Sequence, residues 1–344
     1  MKTPNHYDAK NCRDANYRPN TAMIQAAAAS WAQRHNLRPV GSDGTRVHLL
    51  IIDDQADFSF KGAPLYVAGR SGTGAMDAHQ NLVEFIYRNL SCISEITCTL
   101  DTHVPYQVFF NSAHLDESGN HPEANTIITA DEYRHGKYRP NPAMAKQIGV
   151  TPVWLQKQFI HYCEQLEQSG KYSLMLWPYH CLLGTEGHRL AGVVDEARLF
   201  HSFARGAANT PSVKGGNPLT ENYSIFRPEV TTCHDGRPIP GVQVNTQLLD
   251  QLLAADVVPV AGLAASHCVK TSIEDLLGYI QKQDPSLARK VYIMRDCTDS
   301  VVIPGVFDFT DDAEKAMQEF ADAGMHLVDS TTPIQDWPDQ PLSA

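Results

Sequence analysis

Apolar and polar positions along this chain fall into blocks of two lengths. Short runs of branched residues read as buried parallel strands, because both faces of such a strand are covered. They are Val47–Asp53 (VHLLIID), Ile96–Leu100 (ITCTL), Leu174–Pro178 (LMLWP), Val257–Gly262 (VVPVAG) and Val291–Met294 (VYIM). Longer stretches with apolar residues near helical spacing lie among them, over Ala22–Arg34, Asp77–Asn89, Val153–Gln168, Asp195–Gly206, His267–Lys282 and Asp311–Ala323. Strands alternating with helices predict an α/β protein: a mostly parallel central sheet covered on both faces, which is a three-layer αβα sandwich.

Three segments stand apart from this alternation. Residues 1–45 read as an N-terminal extension, a loose arm over 1–20 followed by a helix. Residues 104–172 are polar and irregular before turning helical, and read as an inserted excursion with one helix, placed to cover a pocket. The tail after Ser330 is rich in proline and reads as loose. Residues 1–344 as a whole read as a single catalytic domain that carries these segments.

Composition narrows the function classes. A hydrophobic share of 42% over 344 residues is enough for a sizeable core. The formal net charge of −11 argues against nucleic-acid partners, which call for clustered basic charge. No apolar run approaches the roughly 20 residues of a membrane span. The first 20 residues lack the apolar stretch of a secretion signal, so a cytoplasmic location is expected. The eight cysteines form no CxxC pair, and a disulfide framework is not expected.

In parallel sheets, ligands bind beyond the carboxyl ends of the strands, and that is where the chemistry-bearing residues fall. Asp53 ends the first strand, Asp101 follows the second, His180 follows LMLWP, and Lys214 lies in SVKGG. Cys268 opens a helix after VVPVAG, where a helix N-terminus lowers a thiol pKa and offers N–H groups to an oxyanion. A carboxylate such as Asp53 can take the thiol proton and an ammonium such as Lys214 can stabilise the thiolate, if the fold brings them together. Asp101 and His103 share a DxH spacing, and with His180 they make a donor set for zinc, manganese or iron. GRSGTG (Gly69–Gly74) lacks the ending of a phosphate loop and reads as a turn, and Ser71 has no GxSxG context.

Five motifs, in order, resemble the nicotinamidase branch of the isochorismatase-like cysteine hydrolases: DDQADF with FKGAPLYV, DTH, WPYHCLLGTEG, VKGGNPLTENYSIF and GLAASHCVKTSIEDL. The resemblance spans about residues 47–330 with a gap over 104–172. It implies an isochorismatase-like, Rossmann-like fold and a catalytic triad of Asp53, Lys214 and Cys268. It implies an oxyanion hole from the N–H groups of Ala264 and Cys268, with a cis peptide between Leu263 and Ala264. It implies a divalent metal, zinc first with manganese or iron as alternatives, held by Asp101, His103 and His180. Phe58, Trp177, Tyr223 and His267 match the substrate pocket. The further histidine common after DxH is replaced here by Gln107, and Glu221, seven residues after Lys214, is the candidate fourth ligand. The implied activity is hydrolysis of nicotinamide to nicotinate and ammonia through a Cys thioester. The alternatives are another small amide or carbamoyl compound, or a non-catalytic isochorismatase-like binding protein. A small-molecule amide is the expected partner, with no nucleic acid or membrane, and a homo-oligomer is left open.

Overall fold

The computed structural model of the chain describes residues 1–170, 172–303 and 305–342. Its centre is a six-stranded sheet: β1 (His48–Ile52), β2 (Glu95–Asp101), β3 (Ser212–Lys214), β4 (Val258–Gly262), β5 (Val291–Met294) and β6 (His326–Val328). The spatial order is β6-β5-β4-β1-β2-β3, and every pairing is parallel. The chain therefore runs outward from β1 through β2 to β3, then returns to place β4 on the other side of β1. That reversal is the topological switch point at which open α/β sheets leave a crevice.

Alternate residues of β1 feed two cores. Leu49 and Ile51 pack with α1 (Thr21–Arg34) and α2 (Gly74–Arg88), and Leu50 and Ile52 face the other side. The first core also takes Phe200 and Val194 of α4 (Gly192–Arg205), and α3 (Pro152–Ser169) packs in the second. The second core is completed by α5 (Thr246–Leu253), α6 (Lys270–Gln283) and α7 (Thr310–Asp322). Helices thus cover both faces of a buried parallel sheet, the three-layer sandwich expected from the sequence.

Several local expectations are corrected. LMLWP does not join the central sheet; Leu174–Met175 pairs antiparallel with Ile127–Ile128, and β3 takes the sheet edge. Among the described residues the excursion holds three α-helices rather than one, with Ala130–Arg134 and Pro142–Gln147 preceding α3. Both extra helices are too short to show a period. Their caps were nonetheless written in the chain, a capping box at Thr129 and Glu132 and an Asn141–Pro142 start. The arm is not loose: Cys12 is fully buried, and the Tyr17 hydroxyl donates to the Glu196 carboxylate of α4. Nor is the tail, where Trp337 stacks on Phe85 at 5.5 Å. All eight cysteines are free thiols.

Gly262, the last residue of β4, has φ +127°, and a Cβ there would lie 2.1 Å from the Ile52 carbonyl oxygen. The close approach of β4 to the end of β1 therefore requires glycine. Gly262→Ala is expected to lower the unfolding free energy by about 3 kcal/mol or more, read by denaturant titration. A second expectation concerns pH. Burial pushes the imidazoles of His114 and His201 down to about 4. The unfolded chain takes up protons below about pH 6.5 that these folded sites refuse. Their stabilisation is thus complete above that pH and lost as pH falls towards 4, and His201→Gln should flatten the slope of unfolding free energy over that range.

Candidate active site

The carboxyl ends of β1, β2 and β3 bring Asp53, Asp101 and Lys214 together. Asp101 and Lys214 are register partners across β2 and β3. The Lys214 Nζ lies 3.0 Å from Asp53 Oδ2 and 3.2 Å from Asp101 Oδ1, and it donates to the Asn222 carbonyl at 2.7 Å. All three side chains are buried. Burial alone would lower the lysine pKa, but the facing carboxylates of Asp101 and Asp53 hold it well above its ordinary value. Thr99 locks the first carboxylate: its hydroxyl donates to Asp53 Oδ1 at 2.5 Å and accepts from the Asp53 N–H at 3.0 Å.

The Lys214 ammonium also reaches the Cys268 Sγ, at 3.7 Å. Cys268 does not begin an α-helix. It sits inside a single π-helical turn, Ala265–Val269, that precedes α6, a form of helix frequent at functional sites. No peptide bond among the described residues is cis, so the implied cis bond before Ala264 is not found. The chain reverses there through Ala264 itself, at φ 60° and ψ 62°. The Ala264 carbonyl accepts from the N–H groups of His267 and Val269, and the intervening Cys268 N–H makes no bond to it. Burial pushes the Cys268 thiol well up; Lys214 opposes this, and the charges of Asp53 and Asp101 add to it. Burial likewise raises the pKa of Asp53, against the pull of Lys214.

On the other side of Asp101 lies a second cluster. One donor atom each from Asp101, His103 and His180 fall within 4.8 Å of one another, and all three residues are buried. His103 Nε2 is 2.8 Å and His180 Nε2 3.8 Å from Asp101 Oδ2. The His180 Nδ1 is 2.7 Å from the Pro178 carbonyl and must carry the proton. Its Nε2 lone pair is therefore turned towards a carboxylate oxygen, an arrangement that a shared cation relieves. Two imidazoles and one carboxylate fit a borderline divalent ion such as zinc. Burial would raise the Asp101 pKa, but His103 and Lys214 hold it well below the carboxylate range.

Glu221 is not brought into this cluster. It lines a small cavity shared with Asp101 and His180, and burial, with Asp101 and Glu229 nearby, raises its pKa well above normal. The place of the missing histidine is taken structurally by Gln107, which donates to the carbonyls of Gly215 (2.6 Å) and Asn217 (2.8 Å) and so holds the loop after β3. A Cβ on Gly215 would lie 2.6 Å from Asp101 Oδ1, so glycine is required beside the cluster. Sequence reading also missed Gln55, which donates to the Asp101 carbonyl and accepts from its N–H, and Asp57, which accepts from the Cys181 N–H at 2.7 Å. Cys181 has a left-handed φ of 47°, and that turn follows directly on His180.

A cavity of about 30 Å³ joins the two clusters. Its lining includes the aromatic side chains of Phe58, Trp177 and Tyr223, together with Asp101, His180 and Glu221 and with Ala264, His267 and Cys268. Its size admits only a small ligand, and wall side chains must give way as a ring enters. None of its lining residues comes from 104–172; that segment stands one layer behind, with Phe109 and Phe110 edge-on to His103 and Tyr172 stacked on His267. A larger cleft of about 780 Å³ lies against β3 but does not include Cys268. No helix among the described residues is long and apolar enough to cross a membrane.

No protein-family model matches the chain, and no curated protein sequence matches it. Solved structures do. The yeast nicotinamidase bound to the inhibitor nicotinaldehyde aligns over 82% of this chain and 99% of its own, with 14% identity and a TM-score of 0.50. A nicotinamidase/pyrazinamidase of Acinetobacter baumanii aligns over 83% and 96% at 19% identity and a TM-score of 0.46. The Pyrococcus horikoshii pyrazinamidase in complex with zinc aligns over 82% and 98% at 17% identity and a TM-score of 0.43. The likeness to the yeast enzyme shows that the chain has the nicotinamidase fold, the isochorismatase-like α/β architecture.

Equilibrium dialysis against zinc is expected to give one tightly held ion per chain. Asp101→Ala should abolish it, and Gly215→Ala should weaken it by about tenfold or more, as a displaced ligand carboxylate does elsewhere.

Proposed function

We propose that this chain hydrolyses nicotinamide to nicotinate and ammonia through a thioester on Cys268. The observation that carries the reading is the Lys214 ammonium, 3.0 Å from Asp53 and 3.7 Å from the sulfur of Cys268, which itself lines a small aromatic-walled cavity. A carboxylate, an ammonium and a thiol in contact, away from water, are a nucleophile with its base and counter-charge.

The resting thiol is protonated, since burial and two carboxylates outweigh the lysine. Asp53, made more basic by burial, takes that proton as Sγ attacks the amide carbon. Lys214 keeps its charge and steadies the thiolate as it forms. The N–H groups of Ala264 and Cys268 receive the oxyanion, an interaction worth about 3 kcal/mol per donor. Asp53 returns the proton to the amide nitrogen, the C–N bond breaks and ammonia leaves. Asp53 then takes a proton from water, the resulting hydroxide attacks the thioester carbon, and the Cys268 sulfur departs with its proton restored.

Asp101, His103 and His180 would hold a divalent cation, zinc first, which supplies a positive anchor for an electron-pair donor such as a pyridine nitrogen. Phe58, Trp177 and Tyr223 exclude water and hold a flat ring, and Trp177 is itself fixed by donating Nε1–H to the Tyr223 hydroxyl at 3.1 Å. A ring that carries both a nitrogen and a carboxamide offers a lone pair to a cation held by Asp101, His103 and His180 and an amide carbon to Cys268, and residues of both clusters line the cavity. This favours nicotinamide over amides that lack a ring nitrogen.

Purified, zinc-loaded protein should release ammonia from nicotinamide. Cys268→Ala should reduce turnover to background, and Asp53→Asn and Lys214→Met should each lower kcat by about a thousandfold or more. Turnover of other amides without nicotinamide would overturn the substrate, and unchanged turnover by Cys268→Ala would overturn the mechanism.

A further inference from the structure

GRSGTG (Gly69–Gly74) is a turn, as its sequence predicts, but two of its glycines have a further task. Asp299, on the segment that follows β5, lies against both: a Cβ on Gly69 or on Gly74 would overlap the Asp299 carboxylate. Gly69 has a left-handed φ of 60°, whereas Gly74 opens α2 as an ordinary helical residue. At Gly74 it is therefore the closeness of Asp299, and not the backbone, that requires glycine. The carboxylate is wedged at the N-terminus of a 15-residue helix, whose dipole favours an anion. Its Oδ1 also accepts from the Ser300 N–H at 2.7 Å.

What this grip holds is the turn that carries the nucleophile. The Asp299 carbonyl accepts from the Ala265 N–H at 2.7 Å, and the Val301 N–H donates to the Ser266 Oγ at 3.3 Å. On the other side of Ala264, the Leu263 N–H donates to the Ile52 carbonyl at 2.8 Å. The peptide that bears the Ala264 N–H thus lies between two pinned peptides. The pins matter because Ala264 is left-handed, a conformation that a residue other than glycine keeps only where its surroundings impose it. Away from the glycines, the segment borders a cleft of about 370 Å³, lined by Ala265, Thr298, Asp299 and Ser300 and by Ala313 and Met317 of α7. Packing on that side is open, which leaves the glycine grip as the fixed point.

We infer that Asp299 is a positioning residue for the oxyanion hole: seated between Gly69 and Gly74, it holds its carbonyl on the Ala265 N–H and so aims the N–H of Ala264, which lines the cavity. The oxyanion role rests on the proposed amide hydrolysis; the anchoring of Ala265 does not. A donor's aim counts most where negative charge develops, in the transition state more than in the bound amide, so the effect falls on kcat rather than on KM.

Gly74→Ala adds one methyl group at a helical position, and that methyl meets Asp299 first. It should lower kcat for nicotinamide about a hundredfold, with KM within about twofold, as a small misplacement of a catalytic donor does. Asp299→Ala should do the same. Asp299→Asn, which keeps the shape and the Oδ1 acceptor, should recover most of the loss, and Gly74→Ala should cost nothing further in the Asp299→Ala background. Additive losses in the double variant, or a raised KM in place of a lowered kcat, would overturn the inference. Amide hydrogen exchange of the zinc-loaded protein reads the anchor without turnover: the Ala265 N–H should lose protection about tenfold or more in Gly74→Ala and in Asp299→Ala, with Leu263 unchanged. Unchanged protection of Ala265 would overturn the inference whether or not the protein releases ammonia. Loss of that protection in a chain whose wild type releases no ammonia would support the anchor and count against the hydrolase reading alone.

Discussion

A lysine ammonium enclosed by two aspartates holds the working end of this molecule together. Lys214 comes from the edge strand, Asp101 from its neighbour and Asp53 from the strand beyond, so one cation ties the carboxyl ends of three adjacent strands. Removing one partner of such a buried cluster leaves an uncompensated charge, at a cost of roughly 3–5 kcal/mol. In the proposed reaction the same cation governs the chemistry. It keeps Asp101 ionised beside two imidazoles and opposes the burial that raises the Cys268 thiol. Stability and reactivity here are two readings of one electrostatic arrangement.

Backbone conformations that ordinary residues avoid surround this cluster. Asp53, Cys181 and Ala264 all have left-handed φ values without being glycine, and each adjoins or supplies a residue of the site. Such positions cost of order 1–3 kcal/mol each and persist only where the surroundings impose them. Gly262 and Gly215 perform the complementary task, allowing β4 to pass against the end of β1 and the loop after β3 to pass against Asp101. The sheet thus places the side chains, and a few turns at its rim aim them.

Much of this could be read in the chain. The strands β1, β2, β4 and β5 are runs of branched residues, and the polar residues at their ends lie at the sheet's switch point. What could not be read has physical causes. The strands β3 and β6 have three residues each, too few for a period, and the pairing of Leu174–Met175 depended on Ile127–Ile128, far away in sequence. The arm and the tail looked loose because their anchors are scattered side chains with no period, such as Cys12 and Tyr17 in the arm and Ile334 and Trp337 in the tail. Glu221 was a candidate ligand through the resemblance and its place seven residues after Lys214, and neither carries information about the burial that raises its pKa or about its distance from the Asp101, His103 and His180 cluster. Thr99, Gln55 and Asp57 left no signal of their own, because their partners are backbone groups and carboxylates brought near only by the fold.

The central claim is that Cys268 becomes covalently acylated, and it can be read directly. Protein mixed with nicotinamide and quenched in acid within the first turnovers should carry a nicotinoyl group on the peptide containing Cys268, seen by mass spectrometry and lost on treatment with hydroxylamine. The adduct should be absent in Asp53→Asn. An adduct on another residue, or ammonia release at full rate with Cys268 unmodified at every quench time, would contradict the account.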